Sequence, residues 1–458
     1  MKKESETMGD ELHEAVDKGL KGEISTVEEV RSNLQETGSG QVKQTIGNVV
    51  YALGHDPLLA GALRKNELTG RVDIVKSMPW KRTSPPMNET DGNQIRLYLE
   101  HNYQLTSERC ISIGLSVSAG NNSFHPIRDR LEGLVWDGEE RIGRALHHFL
   151  GAEENKYTAE VMKMHMLAAI SRIYFPGCKY DIALCLVGPQ GGGKSTFFRF
   201  LAIEDEWFTD DLRRLEDKRV FEKMNGHWII ELSEMSAIAG ARSIEETKAF
   251  ISRQRETYRM PYEKYAEDRP RQCVFCGTTN DIKFLPFDRS GNRRFAPVAV
   301  RPDLAETHPM AHEEQARAYI VQMWAEAMAL FRTVKFSLTF TKEMETYARE
   351  MQREFMPEDT EIGQIEEFLE EKHITRTCIR EIFCEVYNHS PSDDIPTWMS
   401  KKIAEALRCI GWDDRAGSRK FKRYGSQKAW EPIVKSDNEP EKKKNEFMEV
   451  PDDITLPF

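Results

Sequence analysis

The nine residues Gly188-Pro189-Gln190-Gly191-Gly192-Gly193-Lys194-Ser195-Thr196 constrain this chain more than any other feature. They fit the pattern G-x-x-x-x-G-K-[ST], and the physics of phosphate binding demands that composition. Glycine tolerates the tight backbone that lets successive N–H groups converge on one anion. Lys194 brings a point charge to the β- and γ-phosphates, and the Ser195 hydroxyl can ligate Mg2+. The apolar run 182–187 just before the loop reads as a buried strand. Thr196-Phe197-Phe198-Arg199-Phe200-Leu201-Ala202 after it starts a helix, whose positive dipole end faces the same oxygens. Strand, loop and helix stand in the required order, so residues 188–196 are expected to hold ATP.

A phosphate loop needs a second strand to place metal and water. His227-Trp228-Ile229-Ile230-Glu231-Leu232-Ser233-Glu234 supplies it, as a short apolar run ending in acids. Glu231 is expected to partner Mg2+ with Ser195, and Glu234 to orient or activate water; the sequence leaves these two roles exchangeable. A third strand, 272–277, ends in Thr278-Thr279-Asn280, where Asn280 can sense water or the γ-phosphate. Beyond it, Arg293 and Arg294 follow a Gly-Asn turn, and either guanidinium could stabilise charge on a transferring phosphoryl group. Cys273 and Cys276 form a lone C-x-x-C inside a strand, without a second pair at zinc spacing, and read as packing. His125 and His227 read as structural.

Taken together, 188–198, Glu231-Leu232-Ser233-Glu234-Met235-Ser236, Lys248-Ala249-Phe250-Ile251-Ser252-Arg253-Gln254, Gly277-Thr278-Thr279-Asn280 and Gly291-Asn292-Arg293-Arg294-Phe295 resemble the virulence-associated E family. These are P-loop proteins of phages and mobile elements, related to superfamily 3 helicases. The resemblance reaches upstream through Phe124-His125-Pro126 and Trp136-Asp137-Gly138, and covers roughly residues 95–335. It implies an AAA+-like ATPase core and a homo-hexameric ring with active sites shared between neighbours. Lys194 and Ser195 then match the Walker A pair, Glu231 and Glu234 the Walker B acids, Asn280 the sensor, and Arg293 or Arg294 the finger. Superfamily 3 proteins more typically have adjacent acids, whereas here they stand three apart, which leaves the base open. Many relatives carry a primase domain; the short, acidic segment before the family region here offers no metal-carboxylate cluster, so no primase activity is expected of it, and a primase, if one is needed, or another replication protein would be a separate chain.

The formal net charge is −11, which argues against coating nucleic acid through overall charge but not against local contacts. Two basic segments are candidates. The stretch 257–271 reads as a β-hairpin; in superfamily 3 rings a hairpin at this position lines the central pore. Arg259, Tyr262, Lys264 and Tyr265 there offer cations for phosphate and rings for stacking on single-stranded DNA. Residues 413–428 carry six basic side chains against two acidic, with Arg419, Lys420, Lys422 and Arg423 at their centre. Three preceding helical patterns and this β-like segment suggest a winged-helix module whose wing touches duplex phosphates.

The expected organisation is an acidic, partly disordered arm over 1–90, with a short helix near Gly9–Leu20. A helical domain follows over 91–175, the α/β P-loop core with a parallel sheet over 176–335, a helical and winged-helix-like domain over 336–435, and a disordered tail over 436–458. No apolar run approaches the ~20 residues of a membrane helix, and the eight cysteines do not form a disulfide pattern. The expected location is the cytoplasm of a bacterial host. Two functions remain open: an ATP-dependent DNA helicase or replication ATPase, and a nucleotide-gated assembly or loading factor that does not unwind.

Overall fold

The computed structural model describes residues 25–212, 219–233, 235, 241–259, 265–285, 292–333, 335–356, 360–414 and 417–433. The expected helix near Gly9–Leu20 and the tail after 436 lie outside them.

The first unit contains helices α1 (Val27–Ser32) and α2 (Ile46–His55), strands β1 (Leu63–Lys65) and β2 (Val72–Ile74), then α3 (Glu89–Tyr103) and α4 (Glu108–Asn121). Local sequence sets the helix starts. Thr26 and Glu29 form a capping box on α1, and Asn88 with Asp91 forms another on α3. Apolar residues from Val30 to Ala119 share one core. That core crosses the 90/91 boundary expected from sequence. Most of the segment expected as an arm is therefore packed structure, because its apolar side chains find α3 and α4. The proline-rich stretch 78–88 is also tied down: Trp80 Nε1 and Arg82 Nε both donate to Asp91 Oδ1, at 2.7 and 2.9 Å.

Next come α5 (Pro126–Glu132), α6 (Ala145–Leu150) and α7 (Lys156–Tyr174). The central sheet alternates with helices: β3 (Ala183–Val187), α8 (Lys194–Leu201), β4 (Phe208–Thr209), α9 (Val220–Met224), β5 (Ile229–Leu232) and α10 (Ala241–Ile251). A two-stranded antiparallel hairpin, β6 (Arg255–Tyr258) with β7 (Glu267–Pro270), precedes β8 (Val274–Thr279) and β9 (Phe295–Ala299). The sheet order is β4-β5-β8-β3-β9, and every pair is parallel. Every residue of β3 is buried, as a parallel strand between two helical layers must be. Alternation then sorts the side chains. Leu184 and Leu186 enter one core, while Ala183, Cys185 and Val187 enter the other. This is the α/β architecture anticipated from the strand–loop–helix order.

Helix α11 (Glu313–Thr333) lies against α7. Trp324 on α11 packs on Trp228 at 4.3 Å between ring centroids. Their indole N–H groups donate to Leu201 O (2.8 Å) and Ala169 O (3.0 Å), so both buried donors are satisfied. Helix α12 (Lys342–Glu354) also belongs here, beyond the expected boundary at 335/336. Met344 and Ala348 join one core, and Gln352 Nε2 donates to the carbonyls of Asn292 and Phe295. An amphipathic pattern does not name the surface its apolar face will cover.

The last unit has its own core, from Ile365 to Trp430. Its order is α13 (Thr360–Glu371), β10 (Thr377–Cys378), α14 (Ile379–Glu385), α15 (Thr397–Cys409), β11 (Trp412–Asp413), β12 (Ser418–Phe421) and β13 (Gly425–Pro432). β13 pairs antiparallel with β10, β11 and β12. No helix among the described residues is long and apolar enough to cross a membrane.

Candidate nucleotide site

The site forms where three parallel strands end side by side. β3 runs into the glycine loop, β8 into Asn280, and β5 carries Glu231, one strand beyond β8. Gly191 and Gly193 both adopt φ +79°, the left-handed region that favours glycine. A Cβ on Gly188 would lie 2.5 Å from Val300 O, so the loop's first turn also needs the missing side chain.

Lys194 opens α8 and is buried. Its Nζ donates to Gly188 O (2.7 Å), Pro189 O (2.6 Å) and Asn280 Oδ1 (3.0 Å). Burial lowers its affinity for a proton, and the nearby charge of Glu231 partly offsets that. Three uncharged oxygens thus hold an ammonium group at the mouth of the glycine loop.

Glu231 is fully buried. Its Oε1 accepts from Ser195 Oγ (2.8 Å), Thr278 Oγ1 (2.5 Å) and Ser233 Oγ (3.4 Å). Its Oε2 is buried with no hydrogen-bond partner. Burial raises the carboxyl pKa above the ordinary value, against the pull of the Thr278 and Ser195 hydroxyls. A carboxylate with one orphaned oxygen beside a serine hydroxyl fits a divalent cation, which would take both oxygen types.

The surrounding pocket, about 480 Å³, is lined by the loop from Gln190 to Thr196, by Glu231, Ser233 and Thr278–Asn280, and by His308. Lys194, Ser195, Glu231 and Asn280 are therefore brought together. Glu234 lies outside the described residues. Thr278 and His308 had not been singled out. Thr278 stood in the polar tip of its strand, a visible signal; His308 had none, since it arrives from a segment more than a hundred residues downstream.

The arginine pair lies elsewhere. Ala183 pairs with Phe295 and Val187 with Ala299, so Arg294 sits at the start of the parallel strands while the loop leaves their end. The strand length between them is roughly 13 Å. Arg294 Nε donates to Ser252 Oγ at 2.6 Å and lies 3.5 Å from Asp181 Oδ2. Arg293 is exposed. Neither belongs to this chain's own pocket.

The hairpin β6–β7 stands where 257–271 was expected to form one. Arg259 and Tyr265 at its ends are exposed; Tyr262 and Lys264 lie outside the described residues. In the last unit Arg419, Lys420 and Lys422 are exposed, whereas Arg423 reaches Glu385 at 2.7 Å. Cys273 and Cys276 are both buried, and no cluster among the described residues could hold a metal through His, Cys, Asp and Glu alone. His125 is structural: its Nδ1 accepts from Arg128 N (3.3 Å), so Nε2–H donates to Gln272 Oε1 (2.7 Å).

A comparison with curated proteins finds no match. Among solved structures, the A form of the apo NrS-1 C-terminal region is similar at 13% identity and a TM-score of 0.47, over 81% of this chain and 96% of that one. Another apo structure of the NrS-1 C-terminal region (305–718) gives 13% identity and a TM-score of 0.44, over 80% and 94%. Residues 131–357 match the family described as the virulence-associated protein E-like domain. The matched span begins after Phe124-His125-Pro126 and runs through α12, later at both ends than the motifs had suggested. The resemblance carried by the glycine loop and its partner strands is thereby borne out: residues 131–357 are a virulence-associated protein E-like domain.

Proposed function

We propose that the chain is a Mg2+-dependent ATPase, with an AAA+-like core, that works on DNA in replication of a phage or mobile element in the bacterial cytoplasm. The observation that carries this reading is the convergence of Lys194, Ser195, Glu231 and Asn280 at the ends of the three central strands β5, β8 and β3. The loop amides and Lys194 bind the β- and γ-phosphates, and Asn280 holds the Lys194 ammonium in line with them. Ser195 and Glu231 would hold Mg2+, which neutralises charge on the phosphate oxygens. Glu231, or Glu234 close after it, orients the water that attacks the γ-phosphorus as the bond to ADP breaks.

The arginine pair at the far end of the strands supports a shared active site. In a homo-hexameric ring Arg293, exposed and next to the anchored Arg294, is the better placed to reach a neighbour's γ-phosphate. The β6–β7 hairpin, with Arg259, Tyr262, Lys264 and Tyr265, would face single-stranded DNA in the pore. The order α14–α15–β12–β13 supports a winged helix, with Arg419, Lys420 and Lys422 on duplex phosphates.

The test is ATP hydrolysis with Mg2+, with and without single-stranded DNA, using Lys194→Ala as the blank. Stimulation by DNA that vanishes in the variant supports a helicase motor. Hydrolysis indifferent to DNA supports the nucleotide-gated assembly factor instead, and no hydrolysis by the wild type removes both.

A further inference from the structure

The strand order gives the nucleotide site a direction. Lys194 reaches Asn280 on β8, and Ser195 reaches Glu231 on β5, so the γ-phosphate end of a ligand belongs on the β8–β5 side of β3. The nucleoside must then leave the loop on the opposite side, toward β9. There the segment following β9 is pressed against the glycines one after another. Gly188 abuts Val300, Gly192 abuts Pro302, and Gly193 abuts Pro309 and His308, all at 2.5–3.1 Å from the Cβ each glycine lacks.

This strap is itself fixed. Arg301 N donates to Leu150 O (2.9 Å) and Thr307 N to His148 O (3.1 Å). Gly151 lies so close to the strap that a Cβ there would sit 1.9 Å from Arg301 O. His308 is held at both ring nitrogens. Its Nδ1 accepts from Met310 N (3.2 Å), which leaves Nε2–H to donate to Gly191 O (3.2 Å). The ring also lines the phosphate pocket. Two large apolar side chains of the same strap, Leu304 and Met310, are about half exposed.

We propose that His308 is the nucleoside-contacting residue of this site, its imidazole stacking on the base while the strap 300–310 forms the wall that recognises a nucleotide rather than a bare phosphate chain. The proposal rests on the phosphate-site reading above. Flat rings are sequence-tolerant stacking partners for bases, and a ring pinned at both nitrogens loses little freedom on binding.

The experiment compares binding of ATP and of inorganic tripolyphosphate, each with Mg2+, by calorimetry on the full chain. The variants are His308→Ala, His308→Phe and Lys194→Ala. His308→Ala is expected to weaken ATP about tenfold and leave tripolyphosphate within twofold. His308→Phe, which keeps a ring but loses the bond to Gly191 O, is expected to retain the preference for ATP. Equal losses of both ligands in His308→Ala would overturn the proposal, because the ring would then only brace the loop; so would unchanged binding of both. If Lys194→Ala binds both ligands as the wild type does, the phosphate site is wrong and the nucleoside wall falls with it. If Lys194→Ala loses both while His308→Ala changes neither, only the nucleoside wall falls.

Discussion

Ser195 Oγ donates to Glu231 Oε1 at 2.8 Å, although Glu231 stands on β5 and Ser195 on the helix that follows β3, two strands separated by β8. The bond joins the first turn of α8 to the acid strand and leaves Glu231 Oε2 buried without a partner. Around this pair Lys194, Asn280 and the Thr278 hydroxyl are already in place.

Lys194 is the residue whose loss should silence the site. Lys194→Ala removes the only lysine or arginine lining the pocket among the described residues. Hydrolysis measured by phosphate release should fall by roughly 10²–10³-fold, while far-ultraviolet dichroism stays unchanged. Wild-type turnover in the variant would exclude the loop as the catalytic site.

Glu231 predicts a pH-dependent stability. Its folded pKa is raised by burial, so the native state binds the proton more tightly than the unfolded chain. The stabilising effect is complete below the unfolded value and is lost as pH rises through the folded one. Glu231→Gln should therefore melt higher than the wild type at pH 7–8 without nucleotide, by a few degrees. The gap should narrow as pH falls toward 4.5, and hydrolysis should be lost throughout. Thermal melts across this range check it; a constant gap would show that Glu231 does not titrate as stated.

Gly151 adopts φ +62° beneath the strap. Gly151→Ala would bring a methyl against the carbonyl of Arg301 and force a left-handed alanine. A loss of about 1–3 kcal/mol in urea unfolding is expected, with weaker ATP binding because the displaced strap carries His308. Stability and affinity both unchanged would mean that the strap can move without consequence.

Arg271 and Glu256 form a buried pair under the hairpin, with Arg271 Nε donating to Glu256 Oε1 at 2.8 Å. The guanidinium also lies over the rings of Phe250 and Phe275. Arg271→Met should cost about 3 kcal/mol, since it leaves the buried Glu256 carboxylate only the longer contact with Arg253 at 3.6 Å. Adding Glu256→Leu should recover most of that. A double variant no more stable than the single one would show that packing, not the unpaired charge, sets the cost.

In the last unit, charge spent within the fold should separate four neighbouring cations. Arg419→Ala, Lys420→Ala and Lys422→Ala should each weaken duplex binding and reduce the salt dependence by about one counterion. Arg423→Ala should change binding less, because Arg423 already pairs with Glu385. Fluorescence anisotropy at several salt concentrations distinguishes them, and equal effects at all four positions would deny the distinction.

The sequence by itself determined the glycine loop, the acid strand and the polar tip at Asn280, and hence which residues meet in the site. These are local patterns, in which composition alone dictates backbone conformation and the order of strand and helix. It did not determine where one unit ends and the next begins. The core from Val30 to Ala119 and the docking of α12 depend on which apolar faces meet, and an apolar stripe does not name its partner. Only the tertiary structure decided that Arg293 and Arg294 lie at the far end of the strands, because a parallel sheet separates residues at opposite strand ends however close they are in sequence. The same folding brings His308 back onto Gly191 across more than a hundred residues. Strand order and chain return are long-range properties, and no short motif encodes them.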